Sequence, residues 1–286
     1  MIIPVHEAPE STRSQTIANT ETGTGLDLVG LIPAAGHATR LALGARSKEL
    51  INVPDPRHPE RAATNPVAGY LLEQMARAGC SRACFIVRPG KWDIADAFGG
   101  QAHGMPLAYL SIADSWGPPF TLATALPFAQ QATIVTGFPD ILIEPPDALA
   151  RLVTHLHASD ADVALACFAA EPADGCDHIS VAANGEVLAI TPKEDGPTWT
   201  ADSKTWLLAA WQPRFSQFFS ATLNAFAQEM AAAPAGTKKD LPMGSIMVRA
   251  LAAGHAITSV YFPHGRFLDI GTPERLAQAA TFFANS

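Results

Sequence analysis

Charge is scarce in this chain: 16% of its 286 residues are Asp, Glu, Lys or Arg, against ~25% in an ordinary soluble protein. With 48% hydrophobic residues, the composition is the reverse of a disordered, highly charged polymer. Basic residues are the scarcer sign. Lys plus Arg number 19 against 27 acids, a formal net charge of −8. A protein that coats a phosphate backbone needs a broad basic face, so nucleic acid is not an expected partner. A local basic pocket for one small phosphorylated ligand stays open. No apolar run approaches the ~18 to 20 residues that span a bilayer, and no membrane partner is expected. The opening MIIPVHEAPESTRSQ has neither a basic nor a continuous apolar stretch, so it does not read as a secretory leader, and a cytoplasmic protein is the expectation.

Cysteine is sparse too. Cys80, Cys84, Cys167 and Cys176 form no CxxC pair and no ladder with zinc spacing, which leaves buried, reduced thiols as the simplest reading. His155 and His157 stand two apart in RLVTHLHAS. On a helix that spacing points them to different faces, so a solvated surface is expected there rather than a metal site.

Residues 1–26 are rich in Ser, Thr, Glu and Pro with no apolar period, and read as a mobile extension to a single domain over 27–286. Leu28 to Pro33 is a short apolar run ending in a loop of small residues: a buried strand feeding a turn of phosphate size. Strands and helices then alternate. Strands are expected at Ala83–Val87, Leu107–Ser111, Thr133–Thr136 and Val163–Phe168. Helices are expected at 66–78, 91–98, 122–129 and 146–158. Such alternation specifies an α/β fold around a mostly parallel sheet. After about residue 175 the pattern changes. His178–Val181 and Val187–Thr191 flank Asn184-Gly185, a hairpin signature. A strand at Thr205–Trp211, a long helix over 214–232, a helix over 241–253 and a strand at Ile257–Phe262 follow. Thr272-Pro273-Glu274 marks a helix start, with a capping hydroxyl, a first-turn proline and an acid at the positive end of the dipole.

Four segments carry chemistry. Pro33-Ala34-Ala35-Gly36 leads to Arg40 and then Lys48. Small residues after a core strand let backbone N–H groups approach phosphate oxygens; Arg40 adds a bidentate fork and Lys48 a mobile point charge. Read alone, the segment is equally a tight turn with two solvated cations. Ile134 to Gly137 is an apolar strand with Asp140 just beyond its carboxyl end, the edge where open α/β sheets bind ligands; it is also ordinary turn chemistry. Asp269 sits in Arg266-Phe-Leu-Asp269-Ile-Gly271, directly before the capped helix, and reads either as a site carboxylate or as a loop cap. Two such carboxylates could share one Mg²⁺ completed by substrate phosphate. Lys193 ends a hairpin strand in Thr-Pro-Lys193-Glu194-Asp195, where a plain surface lysine is the simpler reading.

Taken in order, these segments resemble the sugar-1-phosphate nucleotidylyltransferases, the family of glucose-1-phosphate thymidylyl- and uridylyltransferases. AAGHATRL and KELINV are similar to the family's AGGxGTRL and KxLxxV; Pro66 to Gly79 is similar to its PLxxxLxxLxxAG helix. Phe138-Pro-Asp140 resembles its mid-chain acid, Thr191-Pro-Lys193-Glu194 its EKP lysine, and FLDIGTPERL its closing WxDxGTPExL. The resemblance covers roughly residues 27 to 284.

It implies a nucleotide-diphospho-sugar transferase fold, a Rossmann-like three-layer sandwich with a mixed, mostly parallel central sheet. The nucleotide-binding half would be about 27–175 and the sugar-phosphate half about 176–286. It also implies a reaction: a sugar-1-phosphate attacks a nucleoside triphosphate in line, giving an NDP-sugar and pyrophosphate with Mg²⁺ as cofactor. By the same resemblance Arg40, Lys48 and Lys193 are the catalytic cations. Ala34, Ala35, Gly36 and Gly137 line the substrate, and Asp140 and Asp269 hold the metal. Trp116 is offered as a base-stacking residue, equally open to loop packing. The family's base-reading QPxG has no clean counterpart in Ala113 to Ala123, and Trp206-Leu-Leu-Ala-Ala-Trp211 replaces its glycine-containing strand. Base, sugar and any homo-oligomer stay open. The alternatives are transfer to a non-sugar phosphate, such as an amino-alcohol phosphate, and a non-catalytic nucleotide or sugar-phosphate sensor.

Overall fold

A computed structural model describes residues 27–36, 46–55, 65–171, 175–234, 236–237 and 240–284. The extension read at residues 1–26 lies outside them, as does Arg40. Strands in chain order are β1 (Leu28–Ala34), β2 (Asn52–Val53), β3 (Asn65–Pro66), β4 (Arg82–Val87), β5 (Gln101–Ala102), β6 (Met105–Ser111), β7 (Thr133–Gly137), β8 (Ile141–Glu144), β9 (Val163–Ala169), β10 (His178–Val181), β11 (Val187–Thr191), β12 (Lys204–Trp211), β13 (Ile257–Phe262) and β14 (Arg266–Asp269). Helices are α1 (Val67–Arg77), α2 (Asp93–Phe98), α3 (Pro118–Ala123), α4 (Ala148–His157), α5 (Pro213–Ala232), α6 (Met243–Ala252) and α7 (Pro273–Ala279).

The main sheet runs β5, β6, β4, β1, β7, β12, β9, β13 from edge to edge, with the short β5 antiparallel to β6 and the β10–β11 hairpin joined at the start of β12. Pairings β1–β4, β1–β7, β4–β6 and β9–β13 are parallel; β12 runs antiparallel to both β7 and β9. Alternate residues of β1 serve opposite faces, as pleating requires. Leu28 and Ile32 join a core built with Leu71, Leu72 and Met75 of α1 and Leu149 and Leu152 of α4. Val29 and Leu31 join the other, with Leu122 of α3, Phe215 and Phe219 of α5 and Ile246 of α6. Helices therefore cover both faces, giving three layers. A third cluster seats β8, β14 and α7 beside α1 through Leu142, Leu268, Tyr70 and Phe283.

Three differences from the sequence reading have local causes. The helix expected over 122–129 begins earlier, at Pro118, and ends at Ala123, with a 3-10 turn at Leu126–Phe128. Gly117 takes φ +106, a conformation only glycine adopts without strain, and the two prolines after it are preset for a first helical turn. Strand β8 was not anticipated; it pairs with β14, Asp269 opposite Ile141. His155 is not simply solvated, because its Nε2 meets Thr258 Oγ1 at 2.9 Å, while His157 is exposed. Cys80, Cys84 and Cys167 are buried and all four cysteines are free thiols.

Candidate functional site

The carboxyl ends of β7, β1, β4 and β6 lie side by side in the sheet, and parallel strands deliver their following loops to one edge. Asp140 follows β7 there. Lys48, from a 3-10 turn at Lys48–Leu50, reaches across and ion-pairs with Asp140 Oδ2. Asp269 arrives from β14 at the same place, since Ile270 N donates to Asp140 O at 3.0 Å. Burial works to lower the Lys48 pKa, but the charges of Asp140, Glu49 and Asp269 outweigh it and hold the ammonium above its ordinary value.

Asp140 and Asp269 offer hard oxygen donors, and an ammonium already occupies the face of Asp140. Among the described residues no group of three or more His, Cys, Asp or Glu converges for a metal. Two carboxylates suit an ion such as Mg²⁺, which keeps waters and takes phosphate oxygens for the rest of its shell.

A cavity of about 280 Å³ opens beside this cluster, lined by Ala35, Gly36, Lys48, Glu49, Arg88, Ile112, Ser115, Thr121 and their neighbours. Its floor is held from behind. Lys91, 4% exposed, donates to Ala34 O at 2.7 Å, to Gly36 O at 3.4 Å and to both Glu49 carboxylate oxygens at 2.7 Å. Asp93, at the start of α2, accepts from Ser47 N at 2.8 Å and Ser47 Oγ at 2.7 Å. One short segment therefore fastens the chain on both sides of the Arg40 stretch. In a trans peptide C=O and N–H point oppositely, so the carbonyl that Ala34 gives to Lys91 turns the Ala35 N–H the other way. Burial dominates both ions of the pair: it raises the Glu49 carboxyl and lowers the Lys91 ammonium, each moderated by the other.

A second cavity, of about 300 Å³, lies on the other side of Phe138 and is lined by Asp177, Lys193, Glu194, Trp206, Met243, Phe267 and Asp269 among others. Pro118, Phe138 and Asp240 line both cavities. Lys193 is exposed and makes no ion pair among the described residues; its backbone N donates to Asp177 Oδ1 at 3.1 Å. Asp177 in turn lies against Gly244, where a β-carbon would collide with its Oδ2. Burial pushes the Asp177 carboxyl up, and Glu194 adds to the rise.

Lys48, Ala35 and Gly36 thus line the first cavity and Asp269 and Lys193 the second, while Asp140 lines neither and is tied to the first through its ion pair with Lys48. Others named from the sequence do not line these cavities. Gly137 lies inside the core, where a β-carbon would meet Leu208 Cδ2 at 2.6 Å and Leu71 Cδ1 at 3.0 Å; its glycine serves packing between α1 and β12. Ala34 is buried at the end of β1 and gives only its carbonyl, to Lys91. Trp116 packs against Phe120 and Phe226, with ring centroids at 5.2 and 6.5 Å, and borders a more open recess, with Asp114 and Ala227, that shares Ser115 with the first cavity. Sequence reasoning missed Lys91, Asp93, Arg88 and Asp177. Their signal was position: Arg88 to Asp93 directly follow a core strand, at the edge where such sheets bind ligands.

No protein-family model matches the chain, and neither does any curated protein. Solved structures do. A protein assigned as a glucose-1-phosphate thymidylyltransferase from Bacillus anthracis, in complex with a sucrose, superposes with TM-score 0.71 at 16% identity, covering 91% of this chain and 96% of its own. A UDP-glucose pyrophosphorylase complexed with UDP-glucose gives 0.70 at 14%, covering 91% and 99%. The inositol-1-phosphate CTP transferase from T. maritima gives 0.68 at 12%, covering 92% and 98%. The fold is that of the nucleotide-diphospho-sugar transferases, a mixed, mostly parallel sheet between two helical layers.

Proposed function

We propose that this chain is an enzyme that joins a sugar-1-phosphate to a nucleoside triphosphate, releasing pyrophosphate. The observation that carries this reading is the pair of cavities that share Phe138, with Lys48 lining one and ion-paired to Asp140, and Asp269 and Lys193 lining the other. Two anions must approach each other, so each needs a cation, and the bond change falls where the two cavities meet. An oxygen of the sugar phosphate attacks the α-phosphorus, a new P–O bond forms, and the bond to the pyrophosphate oxygen breaks with its electron pair leaving on pyrophosphate. The acceptor brings its own nucleophile, so the protein's work is placement and charge neutralisation.

Lys48 would leave Asp140 for the phosphates of the nucleotide, and Lys193 would hold the acceptor phosphate. Arg40, by the resemblance of its motif, would take the departing pyrophosphate. Asp140 and Asp269 would hold Mg²⁺, which when bound withdraws charge from the phosphate oxygens. The neighbours' sugar and inositol phosphates support a phosphate-ester acceptor at the level of fold. Pyrophosphate release should be measured with four nucleoside triphosphates against a panel of sugar-1-phosphates, with and without Mg²⁺. Release above background with at least one pair is expected, and its failure throughout would remove the transferase assignment.

A further inference from the structure

The first cavity extends past the loop after β1, and among the described residues its far end has one polar group with donors to spare. Neighbouring strands lie about 4.8 Å apart, so the ends of β7 and β4 are roughly 10 Å from each other. That is about the reach from a nucleotide's α-phosphorus, over its ribose, to the edge of its base. With Asp140 after β7 and Gly36 after β1, a base falls beside Arg88 after β4 and Ile112 and Ala113 after β6. Most polar side chains around it are already engaged. Ser115 Oγ donates to Gly117 O at 2.7 Å and meets Thr121 Oγ1 at 2.7 Å, and Glu49 is bound to Lys91. Arg88 is different. Among the described residues its Nε is sealed from solvent with no acceptor, and Nη1 reaches only the carbonyl of the next residue, Pro89, at 3.4 Å.

We propose that Arg88 selects the nucleotide by its base, favouring bases with two adjacent acceptors on one edge: cytosine through O2 and N3, or guanine through O6 and N7. This rests on the reading of the cavity as a nucleotide site. A guanidinium presents parallel N–H donors at a fixed spacing, which two neighbouring acceptors satisfy together. Uracil and thymine place N3–H between their two carbonyls. Adenine sets its amino group beside both N1 and N7. Against those three bases the fork makes one bond and faces a donor.

The test is equilibrium binding of the Mg²⁺ complexes of CTP, GTP, UTP, dTTP and ATP to the full chain, to Arg88→Met and to Arg88→Lys, alongside turnover. Arg88 is half-exposed, so both variants keep the core intact. CTP or GTP should bind about ten-fold or more tightly than the other three, and the CTP and GTP arms separate pyrimidine from purine. Both variants should bring all five nucleotides to within about three-fold, since lysine keeps the charge but not the fork. Preference for UTP, dTTP or ATP in the wild type overturns the proposal. So does an equal loss of all five in Arg88→Met, which would make Arg88 a phosphate contact. A base preference without pyrophosphate release sinks the transfer reaction and leaves the assignment of Arg88 standing; binding none of the five sinks both.

Discussion

Lys48 and Asp140 are each other's solvation. With side-chain exposures of 18% and 12%, neither ion has enough water to stand alone, and removing one strands the other. Lys48→Met should therefore lower stability by about 3 kcal/mol, the scale for breaking a largely buried pair. Adding Asp140→Leu should recover most of that loss, because an apolar pair no longer strands a charge. Thermal melts would check both. Turnover should stay abolished in the double variant, and restored turnover would separate these residues from the chemistry. Lys193 is the opposite case, an exposed cation with little to do for the fold. Lys193→Ala should leave the melting temperature unchanged and raise KM for the acceptor more than for the nucleotide. Steady-state kinetics with each substrate varied in turn would decide it, and equal effects on both would return Lys193 to the surface.

At the scale of elements, α2 and the turn before it act as a bracket. Lys91 and Asp93 fasten Ala34 and Gly36 on one side and Ser47 and Glu49 on the other. Lys91→Met paired with Glu49→Gln removes the lysine arm of the bracket without stranding a carboxylate and leaves the Asp93–Ser47 bonds in place. Backbone amides at 33–36 and 46–50 should then exchange with solvent faster while β4 does not, as hydrogen–deuterium exchange would register, and KM for the nucleotide should rise. Most elements were legible in the sequence because their apolar periods are strong: α1, β4, β7 and the α7 cap fall close to where pattern and capping chemistry put them. The α3 start was not, because Gly117 and two prolines override a good helical stripe. The same division runs through the site. Asp140, Lys48 and Asp269 stood in recognisable order. Gly137 packs against Leu208 and Leu71 and lines neither cavity, and a strand-end glycine looks alike in sequence whether it admits a ligand or a neighbouring leucine. Lys91 and Arg88 escaped because their roles depend on which strand lies beside which, and that is a property of the sheet.

Across the whole molecule, three thiols are locked away. Burial pushes Cys80 to about 12, Cys84 to about 11 and Cys167 to about 12 from an ordinary 9.0. Raised acid pKa values mean that the folded state holds these protons more tightly than the unfolded one. The stability they represent is whole below about pH 9 and drains away as pH climbs through 9 toward 11 to 12. Urea melts should show a falling midpoint over that interval. Thiolate absorbance between pH 8 and 10 should account for four thiols in the unfolded chain and for at most one in the folded protein. Appearance of more than one in the native state would contradict the burial.

The antiparallel strand β12 sits between β7 and β9, matching Thr136 to Ala209 on one flank and Leu165 to the same residue on the other. During synthesis both flanks emerge from the ribosome first. Until Lys204 to Trp211 follows, β7 and β9 each present a bare row of amides and carbonyls to any other nascent chain. Fragments ending near residue 200 should consequently accumulate as aggregates, and a fragment extended through Trp211 should remain in the supernatant more readily after centrifugation. Equal solubility of the two would show that these edges are shielded in some other way. The strand that closes the sheet is also the one on which its safe passage through biosynthesis depends.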